Sequence, residues 1–252
     1  MRTKEFELSE VKMLMDLVTY SKFMEVEFSK EIVDKLKLLL NQYELEVIQS
    51  NEHYPIFDKN TKTINQEVLH NIEEISLSMR RKEKIEFDYY KYGLDKRLHK
   101  QGENRVSAYG ILCENEFYYL IGYNERYNDY SFFRLDRIKN IKHMQAAYIK
   151  PKQPIKEFIE SSVYMFGGEK EKVELKCDIR ILDGVLEKFG KNIEIQKLND
   201  DYFKAKLEVN LKGLKMWIMQ YIEFVEVLTP KILKEELLTI LQEAIKRYNN
   251  QI

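Results

Sequence analysis

Two aromatic runs in the middle of the chain constrain the fold most strongly. Phe117–Leu120 is followed closely by Phe132–Ile138, and apolar residues alternate with polar ones in both runs. This period of two is typical of half-buried β-strands. The second run carries Arg134 and Arg137 on either side of Asp136. Guanidinium groups among aromatic residues need polar partners, so either Asp136 and backbone carbonyls supply them or a bound ligand does.

Further alternating segments around these runs predict a small antiparallel β-domain over residues 81–150. The predicted strands lie near residues 84–90, 97–100, 105–112, 117–123, 132–138 and 141–144. A hairpin turn is expected at Gln101–Asn104, because it contains a glycine among polar residues. Five or six short strands at this spacing are typical of a small β-barrel or a strongly bent sheet.

The charge of the chain is balanced overall but uneven locally. The sequence has 41 basic and 42 acidic residues, so any basic surface must be local. Between Arg80 and Arg105, nine Lys or Arg residues accompany five acidic ones. Tyrosines are interleaved with this window or follow it: Tyr89, Tyr90, Tyr92, Tyr109, Tyr118 and Tyr119. The pattern suits base stacking and phosphate neutralisation. From composition alone, the favoured interpretation is that the tyrosines pack the barrel and that the charged residues form a solvated face.

Residues 1–80 predict a helical segment. Apolar stripes at helical spacing predict three helices. Their starts are expected near Ser9, Ser29 and Asn65. Residues 41–63 have a weak pattern and are interpreted as a connector. A platform that packs or dimerises is the favoured interpretation. A helix-turn-helix is rejected, because Glu31 and Asp34 occupy the start of the second helix, where basic residues would be needed.

Residues 151–252 predict a third domain after a linker marked by Pro151 and Pro154. The patterns give the order βαββαβ, which is that of a ferredoxin-like fold, followed by a final helix opened by Thr229 and Pro230. Trp217 falls on an apolar helix face and is expected in the core. The fold class is therefore predicted to be α+β.

Several classes of function are disfavoured by the sequence. Cys113 and Cys177 stand alone, and neither a signal peptide nor a membrane-spanning apolar run is recognisable, so a cytoplasmic protein without a membrane partner is expected. The four histidines lack metal-ligand spacing. No nucleophile elbow, phosphate-binding glycine loop or paired-carboxylate motif is present. We therefore expect no catalytic residue, metal or cofactor, and no enzyme.

Four blocks recur in order along the central segment: Ile85-x-Phe87-x-Tyr89, Ala108-Tyr109, Tyr118-Tyr119-Leu120 and Phe133–Ile138. Over residues 80–145 they resemble the WYL domain of bacterial transcriptional regulators. Tyr118 stands where the family has the Trp of Trp-Tyr-Leu, and Ala108 stands where it usually has Pro. The region beyond Pro151 resembles the WCX extension, and Glu5–Glu10 resembles the helical bridge of Firmicutes-type members.

The resemblance implies an Sm-like or SH3-like β-barrel with a basic pocket that senses a nucleotide or nucleic acid. The family's pocket residues correspond here to Tyr89, Tyr109, Tyr119, Arg134 and Arg137. Strict alternation would place Arg134 and Arg137 on opposite faces of a flat strand. Both can line one pocket only if the strand ends or bulges near Asp136.

The resemblance also bears on what the chain does. Relatives carry a winged helix-turn-helix before the bridge, whereas Met1 stands only a few residues ahead of it here. Binding to duplex DNA is therefore expected only through a module absent from this chain. The predicted function is the ligand-sensing part of a WYL-family transcriptional regulator, acting as a homodimer. The alternative is a stand-alone accessory protein that binds a nucleotide or single-stranded nucleic acid and modulates a partner.

Overall fold

The chain is organised as two compact units, Met1–Pro151 and Lys152–Ile252. A computed structural model describes residues 6–50, 57, 61–150, 154–166 and 170–249. None of the helices in these ranges is both long and apolar enough to cross a lipid bilayer. Each unit has its own buried core and is described separately below.

Among the described residues, the N-terminal part of the first unit has four helices: α1 (Leu8–Tyr20), α2 (Val26–Lys37), α3 (Gln42–Gln49) and α4 (Val68–Arg81). The first three share a small apolar core that includes Val11, Met15 and Val33. Helix α3 lies in the segment predicted as a connector, so that prediction is wrong for these residues. The side chains of Asn41 and Glu44 each accept the other's backbone N–H at 3.0 Å, and this capping box starts the helix despite its weak stripe. Pro55, the other marker of the connector, lies outside the described residues.

Five strands follow in the first unit: β1 (Glu83–Tyr92), β2 (Leu98–Glu114), β3 (Phe117–Asn124), β4 (Asp129–Arg134) and β5 (Ile138–Ala147). They form one antiparallel sheet in the order β4-β3-β2-β1-β5. Helix α4 packs on this sheet, and Ile75 shares a core with Phe87, Leu120 and Leu135. Among the described residues β4 and β5 are the two edges, so the closed barrel is not confirmed.

Strand β2 runs unbroken through the position where a turn was predicted. Residues Gln101–Asn104 do not reverse the chain, because Gly102 pairs with Tyr89 and Asn104 pairs with Phe87 in β1. The register shifts after Tyr89, and Gly102 has a φ of 148°. Glycine tolerates this conformation at no steric cost, so the polar run is accommodated as a β-bulge. The predicted turn is therefore wrong, and the long β2 pairs with both β1 and β3.

The described residues of the second unit form four α-helices and four strands. In chain order they are α5 (Ile155–Ser161), β6 (Glu171–Asp178), α6 (Leu182–Phe189), β7 (Glu194–Lys197), β8 (Tyr202–Val209), α7 (Leu211–Gln220), β9 (Val225–Thr229) and α8 (Lys231–Asn249). The strands form an antiparallel sheet in the order β7-β8-β6-β9. From β6 to β9 the element order is βαββαβ, and α8 follows it. Trp217 is buried in the core with Leu175 and Phe203.

The predicted mixture of N-terminal helices, antiparallel sheets and a C-terminal helix is thus confirmed.

Candidate functional site

The site is built on the turn between β4 and β5. Strand β4 ends at Arg134, and a short 3₁₀ turn covers Leu135–Arg137 before β5 begins. Strand alternation therefore stops at Arg134. In a 3₁₀ turn, residues three apart lie one above the other, so Arg134 and Arg137 are not forced onto opposite faces. Within the turn, Leu135 and Asp136 are buried.

The guanidinium of Arg134 contacts a carboxylate at its edge and an aromatic ring at its face. Its Nε lies 3.0 Å from Oδ1 of Asp136 and its Nη2 lies 2.7 Å from Oδ2, which is the two-point geometry that a guanidinium favours with a carboxylate. The guanidinium carbon lies 3.4 Å from the centre of the Phe117 ring. Burial lowers the pKa of Arg134, but the hydrogen bonds that Arg134 donates to Asp136 and the negative charge of that carboxylate together raise it above its ordinary value. Asp136 thus explains why Arg134 is tolerated among aromatic residues.

Within the described part of the chain, the Nε of Arg137 has no partner that would explain its burial as Asp136 explains that of Arg134. Its Nε is buried and makes no hydrogen bond there. A buried donor without a partner loses its hydration and gains nothing in return. Such atoms are uncommon in folded proteins and call for a specific reason.

Two tyrosines adjoin the arginines. Tyr119 in β3 is the direct cross-strand partner of Arg134 in β4. The hydroxyl of Tyr89 in β1 accepts a hydrogen bond from the backbone N–H of Arg134 at 3.4 Å. Burial raises the pKa of both phenols, and the charges of Arg134 and Arg137 act on both. The two phenols therefore remain neutral at physiological pH and can donate hydrogen bonds.

Tyr109, the fifth predicted site residue, contacts different aromatic residues. Its hydroxyl donates to the carbonyl of Ile149 at 2.8 Å. Its ring meets those of Tyr130 and Tyr148 edge to face, with centroids 5.7 and 5.6 Å away. Burial raises the pKa of Tyr109. The structure therefore gathers Tyr89, Tyr119, Arg134 and Arg137 around one turn and gives Tyr109 a packing role beside the end of β5.

Phe117 adjoins the candidate site, although its sequence pattern predicts only a strand residue. Residues two apart on a strand share a face, and Phe117 stands two positions before Tyr119. That spacing was the available signal. What it could not show is that the Arg134 guanidinium lies over the Phe117 ring.

The basic window contributes less free positive charge than its composition suggests. Three of its cations form ion pairs: Lys100 with Asp88 at 2.7 Å and Arg105 with Glu86 at 2.9 Å on the neighbouring strand β1, and Lys84 with Glu125 in the β3–β4 turn. The hydrogen bond from Lys100 lowers the pKa of Asp88. These pairs lie at or near the surface, so they reduce the local charge without adding much stability. No group of three metal-ligating side chains occurs among the residues with described positions.

Two protein-family models match the chain, one within each of the two units. The model of the WYL domain matches residues 70–143, from within α4 into β5. The model of the WCX domain matches residues 169–245. The chain is a WYL-domain protein with a C-terminal WCX domain. The resemblance drawn from the four sequence blocks is thereby confirmed, and the turn that carries Arg134 and Arg137 lies inside the WYL domain.

Solved structures give more distant likenesses to this WYL protein. Proteasome accessory factor B/C (PafBC) of Arthrobacter aurescens is 15% identical, with a TM-score of 0.33 over 96% of this chain and 36% of that chain. A crystal structure of a CRISPR Cas-related protein is 13% identical, with a TM-score of 0.44 over 87% of this chain and 62% of that chain. The chain thus spans only part of the length of either. No curated protein matches the sequence.

Proposed function

We propose that this chain is the ligand-sensing, regulatory part of a WYL-family bacterial transcriptional regulator. Its WYL domain binds a nucleotide or a single-stranded nucleic acid at the turn after β4. The observation that carries the proposal is the buried, unpaired Nε of Arg137 beside two neutral tyrosines. A phosphate oxygen is a fitting partner for that donor, since arginine forms strong, charge-assisted hydrogen bonds with phosphate.

The two arginines have different roles in this proposal. Arg137 is the main phosphate ligand, because its Nε is not engaged. Arg134 has already paired one edge with Asp136 and contributes its remaining N–H groups and its positive field. The three charged residues of the turn sum to one positive charge, which suits an anionic ligand.

The tyrosines supply contacts that do not depend on charge. Tyr119 and Tyr89 contact a base or a sugar of the ligand through their ring faces or hydroxyls. Stacking of a base on an aromatic side chain is worth about 1–3 kcal/mol and tolerates any base. A ligand with both a phosphate and a base therefore fits this group of residues better than inorganic phosphate does.

The site is proposed to bind and not to catalyse. Asp136 is the carboxylate that pairs with Arg134, and both of its oxygens accept hydrogen bonds from that guanidinium. A carboxylate held in this way is a poor general base, because proton uptake would break its ion pair.

The test is a binding titration with labelled single-stranded oligothymidylate at several salt concentrations. Arg137→Ala should weaken binding about tenfold or more and reduce the salt slope by about one. Arg81→Ala is the matched control, since it removes the same charge at the far end of α4. Arg81 lies ten residues, or about 15 Å, beyond Asn71, the residue of this helix whose side chain contacts the turn. Binding that responds equally to both variants, or a wild-type chain that binds neither oligothymidylate nor free nucleotides, would contradict the proposal.

A further inference from the structure

Two buried asparagines hold the turn that carries Arg137. The Nδ2 of Asn65 donates to the carbonyls of Asp136 at 3.1 Å and Ile138 at 3.0 Å. The Nδ2 of Asn71 donates to the carbonyls of Leu135 at 3.2 Å and Ile138 at 2.9 Å. Both side chains are almost fully buried. We call these two asparagines and the three carbonyls the asparagine clamp.

The asparagines are themselves fixed in place. The Oδ1 of Asn65 accepts a hydrogen bond from the backbone N–H of Glu67 at 3.0 Å. The backbone N–H of Asn65 donates to the hydroxyl of Thr63 at 3.1 Å. Asn71 lies in the first turn of α4, where the helix sets its position. Its Oδ1 is buried without a partner among the described residues, so only its amide donor is used. A side chain that leaves its oxygen unsatisfied is placed there for its donor.

The clamp determines the shape of the turn. The turn closes one bond of its own, from the N–H of Ile138 to the carbonyl of Leu135. The carbonyl of Asp136 accepts from Asn65, and that of Ile138 accepts from both asparagines, so the clamp supplies donors that buried backbone carbonyls require. If the chain continued as a strand, Arg137 would alternate away from Arg134. The clamp therefore favours the conformation in which both arginines meet the tyrosines.

We propose that Asn65 and Asn71 are positioning residues, which act through the backbone of the turn to aim Arg137 at the ligand. This inference rests on the proposed function of the site, but its test has a readout that needs no ligand. The competing explanation is that the asparagines merely fasten α4 to the sheet. In that case their loss would lower stability without changing the surroundings of Arg137.

The first readout is the Nε–H resonance of Arg137 in ¹⁵N-arginine-labelled protein, assigned by its loss in Arg137→Lys. In the wild type it should be distinct and slow to exchange with water. In Asn65→Ala and Asn71→Ala it should move towards the position of a free arginine. Asn71→Ser, whose side chain is too short to span the gap, is the second variant if alanine does not fold. Ile75→Val is the control, because Ile75 is buried on the same helix and contributes only packing. The control resonance should not move.

The second readout is affinity for oligothymidylate under conditions where every variant is folded. Each asparagine variant should bind about tenfold more weakly, as expected when a preorganised contact is lost, whereas Ile75→Val should bind like the wild type. An unchanged Arg137 resonance in the asparagine variants overturns the inference, and so does a shifted resonance with unchanged affinity. A wild-type chain that binds neither the oligonucleotide nor free nucleotides refutes the proposed function instead, and the clamp is then judged on the resonance.

Discussion

The guanidinium of Arg134 donates two hydrogen bonds to the carboxylate of Asp136, which lies two residues later in the 3₁₀ turn. Because of this ion pair, two arginines of identical chemistry have different roles. Arg134 satisfies a buried acid, while the Nε of Arg137, three residues later, is buried without a partner in the described chain. Substitutions at the two positions should therefore have different consequences.

Arg134→Ala should lower stability. Asp136 is only 3% exposed, and removing its partner leaves a buried carboxylate unpaired. Because Arg134 itself is 20% exposed, water screens part of the loss, and we expect a cost of about 1–3 kcal/mol in urea unfolding. Arg137→Ala should cost about 1 kcal/mol or less, since it removes a donor that gains little in the folded state.

The double variant Arg134→Ala/Asp136→Ala provides the control for this pair. It removes the unpaired carboxylate together with its partner, so it should recover part of the stability lost in Arg134→Ala. A double variant no more stable than Arg134→Ala would argue that the guanidinium acts through its contact with Phe117 instead.

Tyr119→Ala should weaken binding of oligothymidylate about tenfold while leaving the salt slope unchanged, because stacking releases no counterions. Tyr119→Phe keeps the ring and should retain most of the affinity. If phenylalanine is as damaging as alanine, the hydroxyl and not the ring makes the contact. A reduced salt slope in Tyr119→Ala would show that the substitution disturbs Arg134, its cross-strand neighbour.

The protein should be a dimer at micromolar concentration, because α1 exposes several large apolar side chains. Leu17 is 63% exposed, and Met13 and Tyr20 on the same helix are also exposed. Exposed apolar patches of this kind commonly mark interfaces. Leu17→Glu should shift sedimentation towards a monomer, whereas Leu94→Glu in the β1–β2 turn makes the same change at an isolated position and should not. A wild-type monomer in sedimentation velocity would disprove the prediction.

A fragment that ends at Lys150 should fold by itself. Three hydrogen bonds tie the residues after β5 to β2: Tyr148 Oη to the Ala108 carbonyl at 3.1 Å, Ile149 N–H to Ser107 Oγ at 3.0 Å, and Tyr109 Oη to the Ile149 carbonyl at 2.8 Å. A fragment that ends at Ala147 loses all three and should melt at a lower temperature. Circular dichroism of both fragments checks this, and a fully unfolded 150-residue fragment would count against a boundary at Pro151.

The second unit should lose stability in acid through Asp178. Hydrogen bonds from Arg180 lower the pKa of this carboxyl to about 2, against about 3.9 in an unfolded chain. A lowered pKa means that the ion contributes stability above about pH 4 and that the contribution disappears as the pH falls towards 2. Thermal melts of Asp178→Asn should lack this part of the acid dependence. Equal slopes in the variant and the wild type would show that the Asp178–Arg180 pair contributes nothing to stability.

Much of the site could be predicted, because its residues lie in recognisable strand patterns. The spacing of Arg134, Asp136 and Arg137 and the alternation around Tyr89 and Tyr119 are visible in the sequence. The 3₁₀ turn was not predictable in the same way. Leu-Asp-Arg-Ile alternates like a strand, and only its tertiary contacts decide that it turns.

The asparagine clamp shows where sequence patterns stop being informative. Asn65 precedes a helix, so local reasoning assigns it to a cap. Its amide instead reaches carbonyls more than seventy residues away. The same limit applies to α3, where a capping box outweighs a weak apolar stripe, and to Gly102, where a bulge replaces the expected turn. In each case pairing with distant or capping groups decides between local conformations of similar energy.

Trp217 is the single tryptophan of the chain, and it lies buried against Phe189 and Tyr221 in the second unit. Indole emission therefore reports on the WCX domain alone, because selective excitation of tryptophan produces no emission from the tyrosine-rich WYL domain. Unfolding followed by indole emission and by circular dichroism will coincide only if the two units melt together. The protein thus carries an internal label that reveals whether events in one domain reach the other.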